Sequence, residues 1–177
     1  MEVIGTVGLP GSGKGEFAEV ARELGVPVVT MGDVIREECR ARGLDPADYH
    51  GEVARALREE DGPLAIAERS IPLVHEAGEG AETVVVDGLR SAAELKRFRE
   101  AFGDAFTLVA VEAPFEARAE RIDARGRDNT AAETLRDRDE RELGFGMGEA
   151  IEQADRRIEN DGSLAAFREA VREVLDA

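Results

Sequence analysis

The chain of 177 residues is long enough for one α/β domain, and its formal net charge of −16 at pH 7 makes it strongly acidic. This charge makes nucleic acid an unfavourable partner, and without a long apolar run we expect no membrane-spanning segment. The single Cys39 cannot form an internal disulfide, and with no signal-peptide pattern at the start we expect a cytoplasmic protein.

The basic residues are almost all arginine, since Lys14 and Lys96 are the only lysines. An acidic chain with few lysines is typical of proteins from a high-salt cytoplasm, where salt screens the repulsion between carboxylates. We therefore expect a halophilic protein whose fold loosens at low salt. The alternative is an ordinary acidic enzyme encoded by a GC-rich genome.

A glycine-rich loop lies between an apolar run at residues 3–7 and a helix-like run at residues 16–24. The spacing Gly8-x4-Gly13-Lys14 is that of a phosphate-binding loop, in which backbone N–H groups and a helix N-terminus surround a phosphate. We predict that ATP binds residues of this loop: Gly8, Pro10, Gly11, Ser12, Gly13, Lys14, Gly15 and Glu16. Lys14 is the predicted catalytic cation on the outer phosphates.

The loop differs from its common form directly after Lys14. The Ser or Thr that ligates Mg²⁺ in that form is replaced by Gly15. We therefore expect Mg²⁺ to be held in another way, through water or through other carboxylates.

The segment after the loop is mostly helical. A short strand at residues 28–29 precedes a helix that Asp33 is expected to cap, and two more helices follow at residues 47–60 and 64–77. Because this stretch is longer than a simple crossover, residues 33–80 are predicted to form a helical insert that binds the acceptor and moves over it.

The rest of the chain alternates strands with helices. Strands are predicted at residues 83–87, 106–111 and, more weakly, within 154–159. Helices are predicted at 92–102, with a Ser91–Glu94 capping box, and at 114–123, 130–143 and 163–175, with a flexible turn at 144–148. The whole chain is therefore expected to be one doubly wound α/β domain with a five-stranded parallel sheet, which binds ligands at its carboxyl edge.

Asp87 ends the apolar strand at residues 83–87. In phosphate-loop proteins a carboxylate at this place holds Mg²⁺ beside the nucleotide phosphates. The alternative is a carboxylate that caps the next turn.

Arginines are concentrated in the last third of the chain, where a short lid is predicted at residues 121–136. Phosphoryl transfer needs fixed positive charge around the transferring group, and guanidinium forks supply it. We predict this role for Arg121 and Arg127, with Arg136 next, and expect several of the other arginines to be solvated partners of nearby carboxylates.

Several motifs resemble adenylate kinases. Their phosphate loop shares the Pro-Gly-Ser-Gly-Lys-Gly core at residues 10–15. Residues 32–36 resemble their monophosphate-binding motif, which implies that Arg36 grips a phosphate of the acceptor beside Thr30. Residues 87–90 are similar to their Asp-Gly-aromatic-Pro-Arg motif without the proline, which implies the same role for Arg90. Residues 127–136 resemble their lid exit.

A second resemblance points to dephospho-coenzyme A kinases. Residues 154–163 are similar to a segment of those enzymes, and their catalytic base, an Asp, corresponds to Asp33. The chain as a whole most resembles an archaeal family of small P-loop proteins related to both enzymes. A phosphate acceptor, being already ionised, would need no base, so the two resemblances differ on the role of Asp33.

Three functions remain open. The first is a kinase that transfers phosphate from ATP–Mg²⁺ to a small phosphate-bearing acceptor, such as a nucleotide or a dephospho-coenzyme A-like molecule. The second is an ATPase switch that acts through a protein partner. The third is a kinase of nucleic-acid ends, which the acidic helical insert disfavours.

Overall fold

The apolar runs of the sequence form one parallel sheet. Its strands are β1 (Glu2–Val7), β2 (Val28–Thr30), β3 (Thr83–Asp87), β4 (Phe106–Glu112) and β5 (Arg156–Glu159). They lie in the order β2-β3-β1-β4-β5, and every neighbouring pair is parallel. This computed structural model describes residues 1–125 and 134–176. The predicted doubly wound, five-stranded parallel sheet is confirmed.

Helices cover both faces of the sheet. They are α1 (Lys14–Glu23), α2 (Met31–Ala41), α3 (Pro46–Asp61), α4 (Ala65–Ala77), α5 (Ala92–Phe102), α6 (Phe115–Arg125), α7 (Leu135–Gly144), α8 (Met147–Glu152) and α9 (Leu164–Leu175), with a 3₁₀ turn at Gly103–Ala105. Within the described part of the chain, no helix has the length and apolar character needed to span a bilayer.

Alternating strand residues separate the core into two clusters. Val84 and Val86 of β3 belong to the larger cluster, which also contains buried residues of α2, α3, α4, α5 and α8. Val85 lies between them in the smaller cluster, against Phe17 of α1 and Phe167 of α9. Successive strand residues point to opposite faces, so the two clusters are the two layers of a three-layer fold.

The predicted helical insert is present as α2, α3 and α4, between β2 and β3. Buried apolar residues join these helices to one another, among them Cys39 of α2, Leu57 of α3 and Ile66 of α4. Cys39 is therefore a packing residue. The movement of the insert and the lid at residues 121–136 stay predictions.

Several predicted helix boundaries were wrong. Asp33 does not cap α2, because Thr30 is the N-cap residue and Asp33 lies inside the first turn. The predicted turn at residues 144–148 contains the start of α8, where Met147 is 2% exposed. Burial of that side chain against the sheet stabilises a helix that is too short to form on propensity alone.

Helix α5 spans the predicted residues, but its capping differs from prediction, and so does the start of α7. Ser91 accepts the backbone N–H of Glu94 at 3.2 Å as expected, but the Glu94 carboxylate accepts the N–H of Arg90 at 2.8 Å. The N-cap of α7 is Thr134, with a capping box to Asp137. The first residues of the helix predicted at 130–143 lie outside the described part.

Candidate functional site

The phosphate loop leaves the central strand β1 and leads into α1. Its backbone has positive φ at Gly11 (78°) and Gly13 (122°), a region that favours glycine. A Cβ at Gly13 would also lie 2.5 Å from Nδ2 of Asn160. The hydroxyl of Ser12 is buried and has no hydrogen-bond partner among the described residues. A buried free hydroxyl in such a loop, at a helix N-terminus, fits a phosphate oxygen of ATP.

Lys14 is folded back over this loop. Its ammonium donates to the carbonyl oxygen of Gly8 and, at 3.4 Å, to that of Leu9. Burial lowers the pKa of Lys14 to about 8, and the Asp87 carboxylate opposes the shift. The ammonium is thus poorly solvated, which strengthens its attraction for an incoming phosphate.

Asp87 lies beside the loop at the end of β3. Thr6 of β1 is its cross-strand partner, and the Thr6 hydroxyl donates to Oδ1 of Asp87 at 2.8 Å. No group of three or more metal-binding side chains occurs among the residues that the structure describes. Asp87, with Thr6 next to it, fits Mg²⁺, which keeps several waters and binds one or two carboxylates together with substrate phosphates.

A cavity of about 240 Å³, here called the inner cavity, opens beside Lys14 and Asp87. Its basic lining residues are Lys14, Arg36, Arg58, Arg90 and Arg138, its acidic ones are Asp87, Glu94 and Glu142, and Gly8, Pro10, Thr30 and His50 also line it. The bases outnumber the carboxylates although the protein carries a net charge of −16. The inner cavity is therefore suited to an anion.

A larger cavity of about 810 Å³, here called the outer cavity, adjoins the inner one. The two share part of their lining: Ile35, His50, Arg58, Arg90, Arg138 and Glu142. The outer cavity also has Arg55, Arg141 and Phe145 in its wall. The two cavities are therefore neighbours that share part of one wall.

The structure brings the predicted acceptor residues together. Thr30, Arg36 and Arg90 all line the inner cavity. Arg36 donates to Asp33 at 2.8 Å, and Nη1 of Arg90 donates to Oε1 of Glu142 at 3.0 Å. Their partners therefore hold both guanidinium groups in place, although the acceptor role itself stays a prediction.

Other predicted residues lie elsewhere. Asp33 is 64% exposed in its side chain and is paired with Arg36, and it is not among the described residues that line either cavity. The Glu16 carboxylate pairs with Arg168 of α9. Gly15 faces open space, since a Cβ added at this residue would have no neighbouring atom within 4 Å.

The predicted lid arginines are only partly described. Arg121 donates to the backbone oxygen of Asn160 at 2.7 Å and to that of Gly11 at 3.4 Å. The guanidinium of Arg136 lies 4.5 Å from the ring centroid of Phe115. Arg127 lies outside the described residues. Catalysis by these three arginines stays a prediction.

Two buried side chains donate hydrogen bonds to backbone carbonyl oxygens of the phosphate loop. Arg118 donates to the carbonyl oxygen of Pro10 at 3.1 Å and forms a bidentate pair with Asp139 of α7. Asn160, after β5, donates to the carbonyl oxygen of Ser12 at 2.8 Å. The loop conformation is therefore fixed by α7 and by the β5–α9 connection as well as by β1.

Sequence reasoning missed several side chains of the cavities. Burial lowers the pKa of His50, and the Arg90 guanidinium lowers it further. Burial also lowers the pKa of Arg58 and raises that of Glu94. His50 and Arg58 belong to no local motif, and Glu94 was predicted only as a partner of Ser91 in a capping box. The only sequence signal was the spacing of His50 and Arg58, which places the two residues about two turns apart on α3 and so on the same face of that helix.

Known proteins resemble this chain in sequence and in fold. A family model described as an AAA domain matches residues 7–136. A UPF0200 protein of Halobacterium salinarum is 58% identical, with 100% of this chain and 94% of its own length covered. A UPF0200/UPF0201 protein of Archaeoglobus fulgidus is 52% identical, with 99% of this chain and 55% of its own length covered.

Solved kinases share the fold at low sequence identity. A shikimate kinase from Acinetobacter baumannii, in complex with shikimate, has a TM-score of 0.60 at 18% identity, covering 99% of this chain and 92% of its own. A gluconokinase from Sinorhizobium meliloti has a TM-score of 0.59 at 19% identity, covering 99% and 91%. With its phosphate loop, its kinase-like α/β fold and these relatives, the chain belongs to the AAA-domain family of P-loop proteins and to the archaeal UPF0200 proteins.

Proposed function

We propose that the protein transfers a phosphoryl group from ATP to a small acceptor that itself carries phosphate. The observation that carries this proposal is the excess of basic side chains in the inner cavity, directly beside Lys14 and Asp87, in a protein of net charge −16. A cavity that only excluded water from ATP would have no need of this excess. Guanidinium groups bind phosphate oxygens in pairs, so they suit an anionic acceptor.

The donor side of the proposed reaction lies at the phosphate loop. Backbone N–H groups of Gly11 and Gly13 and the hydroxyl of Ser12 would bind the phosphates of ATP. Lys14 would stabilise negative charge on the transferring group, and Asp87 would position Mg²⁺. Bound Mg²⁺ would offset charge on the phosphates. The lid arginines would add further positive charge.

The acceptor side lies across the inner cavity. Arg36 and Arg90 would hold the acceptor phosphate, and Arg58 would add charge from α3. The structural neighbours include kinases of small molecules, such as the shikimate kinase solved with shikimate. This likeness supports a small-molecule acceptor over a protein partner.

An acceptor phosphate also fits the place of Asp33. Its carboxylate is exposed and engaged by Arg36 at 2.6 Å, which is a poor situation for a base that takes a proton from a buried hydroxyl. An ionised phosphate oxygen needs no base. We therefore expect Asp33→Asn to lower turnover only a few-fold, whereas loss of all turnover would favour a hydroxyl acceptor.

An acceptor screen tests the proposal. ADP formation is measured in molar KCl with Mg²⁺ and ATP against nucleoside monophosphates, dephospho-coenzyme A and sugar phosphates. Lys14→Ala is the blank, and Arg36→Ala is compared with Arg40→Ala, an exposed arginine on the same helix. One acceptor should raise ADP formation well above the hydrolysis background, and Arg36→Ala should remove the rise while Arg40→Ala leaves it.

The result that would contradict the proposal is tight ATP binding with no acceptor raising ADP formation. In that case the ATPase switch becomes the better function, and a protein partner should be sought by measuring its effect on ADP release.

A further inference from the structure

The outer cavity is larger than the transfer of one phosphate requires. Its volume of about 810 Å³ is more than three times that of the inner cavity, and Arg58 and Arg90 line both cavities whereas Lys14 lines only the inner one. Binding pockets for whole organic ligands have volumes of roughly 300–1,000 Å³. The outer cavity is thus of a size to hold a substantial part of the acceptor.

The outer cavity is also basic. Five arginines line it: Arg55, Arg58, Arg90, Arg138 and Arg141. Among the described residues, the carboxylates in the same wall are Glu59 and Glu142. Arg55 and Arg58 are three residues apart on α3, so both belong to the face of that helix that borders the cavity. The guanidinium groups of Arg55 and Arg58 in this wall suit a second anionic group.

A planar apolar surface lies in the same wall. Phe145, between α7 and α8, is 50% exposed, and the guanidinium of Arg58 lies 5.8 Å from its ring centroid. An exposed aromatic ring beside a guanidinium group is suited to stacking of a planar group such as a base.

Glu142 lies where the two cavities meet. It is 5% exposed and lines both, and its Oε1 accepts from Arg90. Its Oε2 is buried with no hydrogen-bond partner among the described residues. A buried acceptor without a donor is unfavourable, and a hydroxyl or amine of a ligand that passes between the cavities would satisfy it.

We propose that the outer cavity binds a second anionic group of the acceptor together with a planar group that stacks on Phe145. The acceptor then spans both cavities, with an anionic group at each end and a hydrogen-bond donor near Glu142. This inference rests on the proposed function. It narrows the proposed acceptor to molecules that carry two anionic groups and a planar group, and such molecules are larger than a sugar acid.

Paired probes that differ by one phosphate test the inference. We would measure binding of adenosine 5′-monophosphate and adenosine 3′,5′-bisphosphate by calorimetry in molar KCl, with Mg²⁺–ADP occupying the phosphate loop. The bisphosphate should bind roughly ten-fold more tightly or better, which corresponds to one additional charge-assisted contact. Arg55→Ala should remove this advantage, because Arg55 lines only the outer cavity.

The controls use exposed residues. Arg55 and Arg40 are both exposed arginines on helices of the insert, so neither substitution should unfold the protein, and Arg40→Ala should keep the ten-fold difference. Phe145→Ala should weaken both adenosine probes if the base is the part that stacks.

Two results would overturn the inference, and they are distinguishable. Equal affinity for the two probes, unchanged by Arg55→Ala, would remove the second subsite and leave the proposed kinase in place. Binding of neither probe, with ATP binding intact, would overturn the acceptor site and with it the proposed function.

Discussion

The buried ion pair between Arg118 and Asp139 allows a quantitative prediction about the stability of the protein. Both oxygens of Asp139 accept from Arg118, at 2.8 and 2.7 Å, and the two side chains are only 6% and 14% exposed. Arg118 also donates to the carbonyl oxygens of Pro10 and Ala113. The perturbation is Asp139→Ala, which leaves a buried guanidinium without its carboxylate.

The expected magnitude follows from the burial of the pair. Removing one partner of a buried ion pair lowers the free energy of unfolding by roughly 3–5 kcal/mol. We expect the lower end, about 3 kcal/mol, because two backbone carbonyls still accept from Arg118. For a chain of this size the melting temperature should fall by roughly 6–12 °C.

The assay is denaturant and thermal unfolding in molar KCl. Glu112→Ala is the matched control, because it removes a carboxylate from the exposed Arg157–Glu112 pair, whose side chains are 44% and 40% exposed. That change should lower the free energy of unfolding by less than about 1 kcal/mol. The double variant Arg118→Met, Asp139→Leu should recover part of the loss, because no buried charge remains although the carbonyl oxygens of Pro10 and Ala113 lose their donor. If Asp139→Ala is no worse than Glu112→Ala, the pair is solvated and the reasoning fails.

Three other predictions follow from charge and glycine geometry. Folding lowers the pKa of Lys14 from 10.5 to about 8, so ATP should bind less tightly as the pH rises through about 8. The unfolded chain binds the Lys14 proton more tightly, so the free protein should gain stability between pH 8 and 10.5. Titration calorimetry and melting over pH 7–10.5 should show both effects in wild type and neither in Lys14→Met. Gly13→Ala should destabilise the protein and weaken ATP binding, because φ at Gly13 is 122° and the new Cβ would lie 2.5 Å from Nδ2 of Asn160. The control Gly15→Ala should melt at or above the wild-type temperature, because its Cβ would have no neighbour within 4 Å. Finally, the charge of −16 predicts a melting temperature several degrees lower at 0.1 M than at 2 M KCl, and equal melting at the two concentrations would contradict halophilic adaptation.

The sequence predicted the strand–loop–helix unit around the phosphate loop because the information for it is local. The strand before Gly8, the loop and the helix after it are adjacent in the chain, so spacing alone placed them. The same holds for β3, which ends at Asp87 as predicted, and for α9, which begins after its cap Ser163.

The acceptor side was harder to predict because distant segments build it. Arg58 of α3 and Glu142 of α7 meet Arg90 only after the helices pack, and no spacing in the chain records that meeting. His50 belongs to no motif in the sequence, yet it lines both cavities. Arg118 is buried in the ion pair that holds the phosphate loop, and no motif in the sequence distinguishes it from the neighbouring arginines.

The strand order has a consequence for how such a protein can diversify. The phosphate loop follows β1, the central strand of the sheet. Much of the proposed acceptor wall belongs to α2 and α3, which come between β2 and β3 in the chain, and those two strands lie at one side of the sheet. Substitutions in those helices can reshape the proposed acceptor wall without moving β1 and α1, which flank the phosphate loop. Under the proposed function, an ancestral protein could in this way exchange one acceptor for another while its phosphate loop stayed unchanged, and relatives with the same loop would then bind different acceptors.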